Sequence, residues 1–405
     1  MHHTSRLTIA AAMLAVAVGG LSGCLRGKTH QEWVDNAENR WQDLRSAHMV
    51  PMARQALESG DLDRAEAVLI EASSIDPDNP QLFVLAGRVQ FERGKLERAY
   101  HLFSKAAEFA AESEIKYADA HYYQGIVLQR WSKADEAAEA YELAYEAAPD
   151  DVSYLTAWAE ALVSAGKRRE AKQLLASKME YFDQSAAIRI AAGHLHAIDG
   201  EHDQAIDYFR EASLLSPDDD AIAEELALAL FASGRDREAA VALQTIVSLP
   251  AGRDRADLHR VLAQAYARSG RQADARATYL KLTRLEPDVA AHWIVLGNMS
   301  LEQGKVRDAL SASRRAARVE PLNFQGFMLA GLALSEGQQF DDAATQFGRA
   351  AELAPADAAP LILRGIALQK AGKNHAAAAS YREALKRSPN DTRATRLLQS
   401  LVATP

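Results

Sequence analysis

The residues best suited to chemistry in this sequence are His194, His196, Asp199, Glu201, His202 and Asp203. Imidazole nitrogens and carboxylate oxygens ligate zinc and similar cations, and the same groups serve general acid and base catalysis. The element around them sets the terms. Apolar spacing predicts a helix through His194 and His196, and a two-residue step turns about 200° around a helix, so the two rings cannot share one face. A metal would need His202 or a carboxylate folded back beside one of them. Elsewhere there is no Gly-rich Lys-Ser/Thr phosphate loop, no dinucleotide fingerprint after a strand and no His-Glu-x-x-His helix. The single cysteine, Cys24, excludes a disulfide framework and a cysteine zinc cluster. Neither a cofactor nor a bound metal is expected.

Composition narrows the classes further. Of 405 residues, 48% are hydrophobic and 25% charged, which is globular composition and disfavours bulk disorder or a multi-span membrane protein. Lys plus Arg number 46 against 55 Asp plus Glu, and the net charge of −9 argues against a binder of nucleic-acid phosphates. The charge is uneven: residues 25–219 hold 21 basic and 35 acidic side chains, and residues 220–405 hold 24 and 20.

A fixed period organises nearly everything after the first segment. Alanine recurs at Ala65, Ala99, Ala137, Ala171, Ala205, Ala239, Ala275, Ala309, Ala343 and Ala377, mostly 34 residues apart. Twelve residues later, Pro77, Pro149, Pro217, Pro287, Pro321, Pro355 and Pro389 fill seven of ten slots. Five residues before the alanines stand Gly60, Gly94, Gly166, Gly200, Gly234, Gly270, Gly304 and Gly372. Seven residues before those are small residues such as Gly87, Gly125, Ala159, Gly193, Gly297, Gly331 and Gly365. Each marker has a mechanical reason. Two antiparallel helices approach closest over small side chains, and Gly297 is expected to face the region of Ala309. Gly304 permits the turn, Pro321 stops the second helix, and Asn323, Asp219 or Asp391 can cap the next one.

These residues and this spacing resemble the tetratricopeptide repeat family. The resemblance implies an all-α, right-handed superhelical solenoid of about ten helical hairpins with capping helices at both ends. The units fall at 46–79, 80–113, 118–151, 152–185, 186–219, 220–253, 256–289, 290–323, 324–357 and 358–391. Four extra residues near Glu114 to Tyr117 and two near Asp254 to Arg255 break the period, and units four and six carry Asp183 and Ala251 in place of the closing proline. Residues 31–48, with Trp33, Ala37, Trp41 and Leu44 on one face, suit an N-terminal cap that Pro51 should separate from the next helix. Residues 392–405 suit a C-terminal cap, because a solenoid end must cover its last apolar face.

The first segment reads as an address. Leu7 to Gly20 is an apolar run too short to span a bilayer, which needs roughly 20 residues. It ends in Leu21-Ser22-Gly23-Cys24, which resembles a bacterial lipobox. That resemblance implies cleavage after residue 23, a diacylated Cys24, a short tether over 24–30 and an envelope location, with Leu25 favouring the outer membrane and a chain facing the periplasm. The alternative is an ordinary signal peptide with an incidental cysteine.

In the family, the concave surface is lined by first-helix positions two, five, nine and twelve. Carried over, that register selects Gln81, Val84, Arg88 and Phe91, then Asp119, Tyr122, Ile126 and Gln129, and later Arg260, Gln264, Ile294 and Asn298. The competing reading of each is solvated helix surface. The clamp for acidic chaperone C-termini does not fit, since Arg260 and Gln264 are followed by Val295 where the pattern asks for Asn. The asparagine ladder of the glycosyltransferase superhelix is likewise missing at Leu85, Tyr123, Ala157 and their equivalents. The expected function is a non-catalytic, lipid-anchored scaffold binding proteins or peptides in envelope assembly, in pilus, secretion, outer-membrane protein or exopolysaccharide systems. The alternatives are a divergent envelope enzyme with a site near His194, or a cytoplasmic co-chaperone.

Overall fold

The computed structural model describes residue 45 and residues 48–112 and 117–402. The expected signal segment 1–23, Cys24, the 24–30 tether and nearly all of the 31–48 cap lie outside the described residues. Among the described residues every regular element is an α-helix, and none is long and apolar enough to cross a membrane.

The chain divides into two compact units, Met1–Ala165 and Gly166–Pro405. The first holds α1 (48–58), α2 (Leu62–Ile75), α3 (Pro80–Glu92), α4 (Leu96–Glu112), α5 (Ala118–Arg130), α6 (Ala134–Ala147) and α7 (Val152–Ser164). The second opens with α8 (Arg168–Lys178), α9 (Ala186–Ile198), α10 (His202–Leu215), α11 (Asp220–Ala232), α12 (Asp236–Ser248), α13 (Ala256–Arg268) and α14 (Gln272–Leu285). It continues with α15 (Ala290–Glu302), α16 (Val306–Val319), α17 (Phe324–Glu336), α18 (Phe340–Leu353), α19 (Ala359–Lys370), α20 (Asn374–Arg387) and α21 (Thr392–Val402). Odd-numbered helices open the hairpins and even-numbered ones close them, in α-solenoid order.

Proline sets the length of the closing helices. α2, α6, α10, α14, α16, α18 and α20, each followed by its proline, are all 14 residues long. The residue before a proline is pushed out of the α region, and Asp76, ahead of Pro77, accordingly ends α2 at φ −132° and ψ 80°. Without that stop, α4 runs to 17 residues, while α8 ends after 11 and α12 after 13. Asn79, Asp219 and Asn323 each cap a following helix, accepting the N–H two residues on at 2.9, 2.9 and 3.0 Å. The turn within each hairpin needs a left-handed residue. Eight of these positions are glycine, as at Gly304 with φ +69°, and the remaining two, Ser132 and Gln338, adopt φ 59° and 60°.

Inside the hairpins, small residues admit large ones. Gly87, Gly125, Gly193, Gly331 and Gly365 lie against the rings of Phe103, Tyr141, Phe209, Phe347 and Tyr381, where an added Cβ would come within 2.7 Å of a ring carbon. Where the small residue is Ala53 or Ala227, the matching slot sixteen residues on holds a leucine, Leu69 or Leu243, in the same core cluster. In these two hairpins the room taken by one methyl on the first helix is removed from the second, whereas Ala263 shares its cluster with Tyr279.

One expectation is extended here and one corrected. A Cβ on Gly297 would meet Ala312 Cβ at 3.2 Å, one turn from Ala309 in the same cluster, and Leu329 Cδ2 of the next hairpin at 2.3 Å, so Gly297 faces the region of Ala309 but meets a residue of the next hairpin more closely. Its ring slot holds Ser313, which is too small to fill the gap, and Leu329 of the next hairpin enters instead. Pro51 does not separate two helices, because the helical run 48–58 passes through it. Met49, Val50 and Ala53 on either side are all buried in one cluster, and that packing holds the segment helical.

Candidate functional site

First helices also touch one another, α3 against α5 in the first unit and α11 against α13 and α15 against α17 in the second. Each unit therefore carries a face made of opening helices alone. On the first unit that face holds a cleft of about 190 Å³ lined by Arg54 and Glu58 from α1, Gln81, Val84, Leu85 and Arg88 from α3, Tyr117 at the α5 N-cap, and Asp119 and Tyr123 from α5.

The polar groups of this cleft are unequally satisfied. Asp119 accepts a hydrogen bond from the Tyr154 hydroxyl at 2.7 Å. Burial, then the Asp119 carboxylate, pushes the Tyr117 phenol far above its ordinary value, and the Tyr154 phenol rises for the same reasons. Both hydroxyls therefore stay protonated. Arg88 lies over the Tyr123 ring, 5.3 Å from its centroid. Among the described residues neither Arg88 nor Arg54 forms an ion pair with a carboxylate or donates a hydrogen bond.

The other residues selected from the first unit take several roles. Phe91 is half-buried in the core and sits under the Arg130 guanidinium at 5.8 Å. Tyr122 belongs to a cluster, with ring centroids 5.6 Å from Tyr141 and 5.1 Å from Tyr154. Ile126 is half-buried, and exposed Gln129 accepts the Tyr141 hydroxyl at 2.7 Å. On the second unit, Gln264 and Asn298 are exposed on α13 and α15, and Arg260 is paired to Glu286 at 3.2 Å. Glu286 also bonds His292 Nε2 at 2.6 Å, and these two partners hold its carboxyl below the usual range. Val84 at 2% and Ile294 at 8% exposure are core residues rather than open groove, although Val84 floors the cleft.

Sequence reasoning missed Arg54, Glu58, Tyr117 and Tyr123. The signal for Arg54 was present, since it stands at the ninth place of the first unit as Arg88 does in the second. Tyr117 belongs to the four-residue excess between units, for which the repeat has no register.

The histidine cluster does not converge. His194 Nε2 faces Glu225 at 3.3 Å, whereas His196 Nδ1 bonds Glu201 at 2.5 Å. Lys172 pairs with Asp199 at 2.7 Å and Glu201 at 2.6 Å, and its hydrogen bonds, joined at Glu201 by that of His196, hold both carboxyls below their usual range. Among the described residues no group of three His, Cys, Asp or Glu side chains is arranged to hold a metal ion.

Comparison with known proteins completes the picture. Sequence profiles described as tetratricopeptide repeat match residues 56–121, 115–289, 294–358 and 362–398. No curated protein matches the chain. Among solved structures, the C-terminal part of a repeat protein from Cytophaga hutchinsonii is 16% identical, with a TM-score of 0.52, over 60% of this chain and 99% of that one. A tetratricopeptide repeat protein from Parabacteroides merdae is 16% identical over 72% of this chain and 99% of its own, with a TM-score of 0.41. YrrB, described as having an unusual peptide-binding site, is 15% identical over 56% of this chain and 97% of its own, with a TM-score of 0.35. The repeat period, the paired helices and the matching profiles together place this chain in the tetratricopeptide repeat family.

Proposed function

We propose that this chain is a non-catalytic scaffold whose opening-helix faces bind protein or peptide segments. The observation that supports it most is the cleft across α1, α3 and α5, where polar groups stand open on a face that hairpin packing holds in place. A preorganised face loses little conformational freedom on binding, so the ordering cost falls on the partner alone. The resemblance of Leu21 to Cys24 to a lipobox supports a lipid anchor at Cys24 and a place in the bacterial envelope, on the outer membrane facing the periplasm. There the scaffold would assist assembly of a pilus, secretion, outer-membrane protein or exopolysaccharide system. The test is capture from detergent-solubilised envelopes with the full chain and with variants carrying Gln81→Glu and Gln129→Glu on the face of the first unit or Gln264→Glu and Asn298→Asp on that of the second. Partners lost with those substitutions support the reading, and partners retained on both point to another surface.

A further inference from the structure

We propose that a cavity between α4, α5 and α6 binds an alkylammonium group, its aliphatic stem lying on alanines and its charged head held between His121 and Glu146. This cavity is separate from the cleft at Arg88, and the proposal does not depend on the scaffold reading.

The cavity is a product of the irregular joint between the second and third hairpins. Closing helices that precede a proline, such as α2, are 14 residues long, whereas α4 has none after it and runs to 17. Two of the three residues so gained, Ala110 and Ala111, line a space of about 260 Å³ together with Tyr117, His121, Leu143 and Glu146. Tyr117 itself belongs to the four-residue excess. The repeat register therefore supplies only part of this wall.

A chain of hydrogen bonds fixes what His121 offers. The Ser104 hydroxyl donates to the Tyr100 carbonyl at 3.0 Å, so its oxygen accepts from Gln124 Nε2 at 3.1 Å. That turns Gln124 Oε1, which can only accept, toward His121 Nδ1 at 3.1 Å, and Nδ1 must carry the ring hydrogen. Burial lowers the pKa of His121 and keeps the ring neutral, which leaves a lone pair on Nε2. Among the described residues Nε2 has no partner. The rim is anionic. Glu146 is exposed there, and among the described residues neither it nor Glu139 nor Glu142 of the same helix pairs with a cation. Burial, then the Glu146 and Glu139 carboxylates, raises the pKa of Glu142, the mark of uncompensated negative charge.

These groups decide the ligand. No lysine or arginine lines the cavity, so an anion would meet only a carboxylate and a lone pair. A wholly apolar molecule would leave both acceptors unmet. A guanidinium brings five donors in one plane, more than these acceptors can serve, whereas an ammonium is a compact charge with three. Ala110, Ala111 and Leu143, which is 47% exposed, offer the stem its apolar wall. A metal ion is disfavoured, because among the described residues no third imidazole or carboxylate joins His121 and Glu146. An alkylammonium has two sources, a lysine side chain of another protein and a free alkylamine.

The test uses the full chain in detergent and saturation-transfer NMR with n-butylammonium, n-butanol, n-butylguanidinium, butyrate and the blocked peptide Ala-Ala-Lys-Ala-Ala. Butylammonium should bind about tenfold more tightly than butanol, since hydrogen bonds to charged groups are the stronger kind. Glu146→Gln should remove that advantage, while Glu139→Gln, with the same net charge, should change it by less than about twofold. His121→Phe should weaken butylammonium and butanol alike, because both donate to Nε2. Ala111→Phe, at an exposed position on α4, should fill the cavity and abolish binding of both. Circular dichroism confirms that the variants remain helical. Lysine-peptide binding lost in the same variants assigns the head group to a protein lysine, and butylammonium binding without it assigns a free amine; both support the site. Equal loss in Glu146→Gln and Glu139→Gln would reduce the effect to diffuse charge attraction and overturn the proposal. Tighter binding of butylguanidinium or butyrate, indifference to His121→Phe or Ala111→Phe, or no binding of any probe would overturn it as well.

Discussion

A Cβ placed on Gly331 would stand 2.5 Å from Cε1 of the Phe347 ring, a distance that ordinary side-chain contacts never reach. Phe347 is 1% exposed and has no room to retreat. The glycine and the aromatic are therefore one packing unit, repeated with Phe103, Tyr141, Phe209 and Tyr381 in four other hairpins.

Gly331→Ala should destabilise the second unit by about 1–3 kcal/mol, because overpacking outweighs the roughly 1 kcal/mol that alanine adds to a helix. Phe347→Leu in the same chain should restore part of the loss, giving a non-additive pair. Urea melts of the two single variants and the double variant measure it, and simple additivity would contradict the coupling.

Ser132→Gly and Gln338→Gly should each stabilise by about 0.5–1 kcal/mol, since a left-handed backbone strains any residue with a Cβ. Their φ angles of 59° and 60° match a position that is glycine in the other hairpins. Gly304→Ala, at φ +69°, should move the melt in the opposite direction. The same denaturation assay reads all three.

Ala309 is fully buried beside Ala312, Leu329 and Ala333. Ala309→Leu should therefore cost about 1–3 kcal/mol through overpacking, and Arg314→Ala on the exposed side of the same helix should cost little. Indistinguishable urea midpoints would contradict the packing described for α16.

Stability should fall as pH drops below the ordinary imidazole value of 6.5, partly through His259. Burial lowers the pKa of this side chain, whose Nε2 bonds the Arg253 carbonyl at 2.9 Å while Nδ1 is buried with no hydrogen-bond partner among the described residues. Lys281 donates to the same carbonyl at 2.7 Å and adds to the lowering, while the carboxylates of Asp254 and Asp257 oppose it. With its folded pKa depressed, His259 binds a proton more readily in the unfolded chain, so its contribution is whole above pH 6.5 and is lost below it. His121 is shifted in the same direction by burial. His259→Gln should flatten the dependence of melting temperature on pH between 7.5 and 5 without abolishing it, because His121 remains. An unchanged slope would contradict the role given to His259.

Cys24 should carry diacylglycerol. Metabolic labelling with a fatty acid should mark the wild-type chain and not Cys24→Ser, which should persist as an uncleaved or soluble form. Equal label in both would remove the anchor.

Much of this architecture was legible because its markers are backbone rules. Glycine at the turns and proline after the closing helices act on φ and ψ directly, so a 34-residue period reveals them. Partner choice within the core was less legible. Gly297 meets Leu329 from the next hairpin, a contact that depends on Ser313 leaving space, and no local pattern states it. The cleft was half legible: Arg88 followed from register, whereas Tyr117 lies in an insertion and Asp119 depends on Tyr154, 35 residues away, for its hydrogen bond.

The most direct test of the scaffold reading is site-specific photo-crosslinking in the cell that makes the protein. The photoreactive residue would replace Gln81, Gln129, Gln264 or Asn298 on opening helices, or Leu214 and Arg314 on closing ones, where Leu214 is 83% exposed. Discrete cross-linked protein partners from the opening-helix positions, with none from Leu214 or Arg314, is the result this account predicts. Cross-links confined to the closing helices would contradict it.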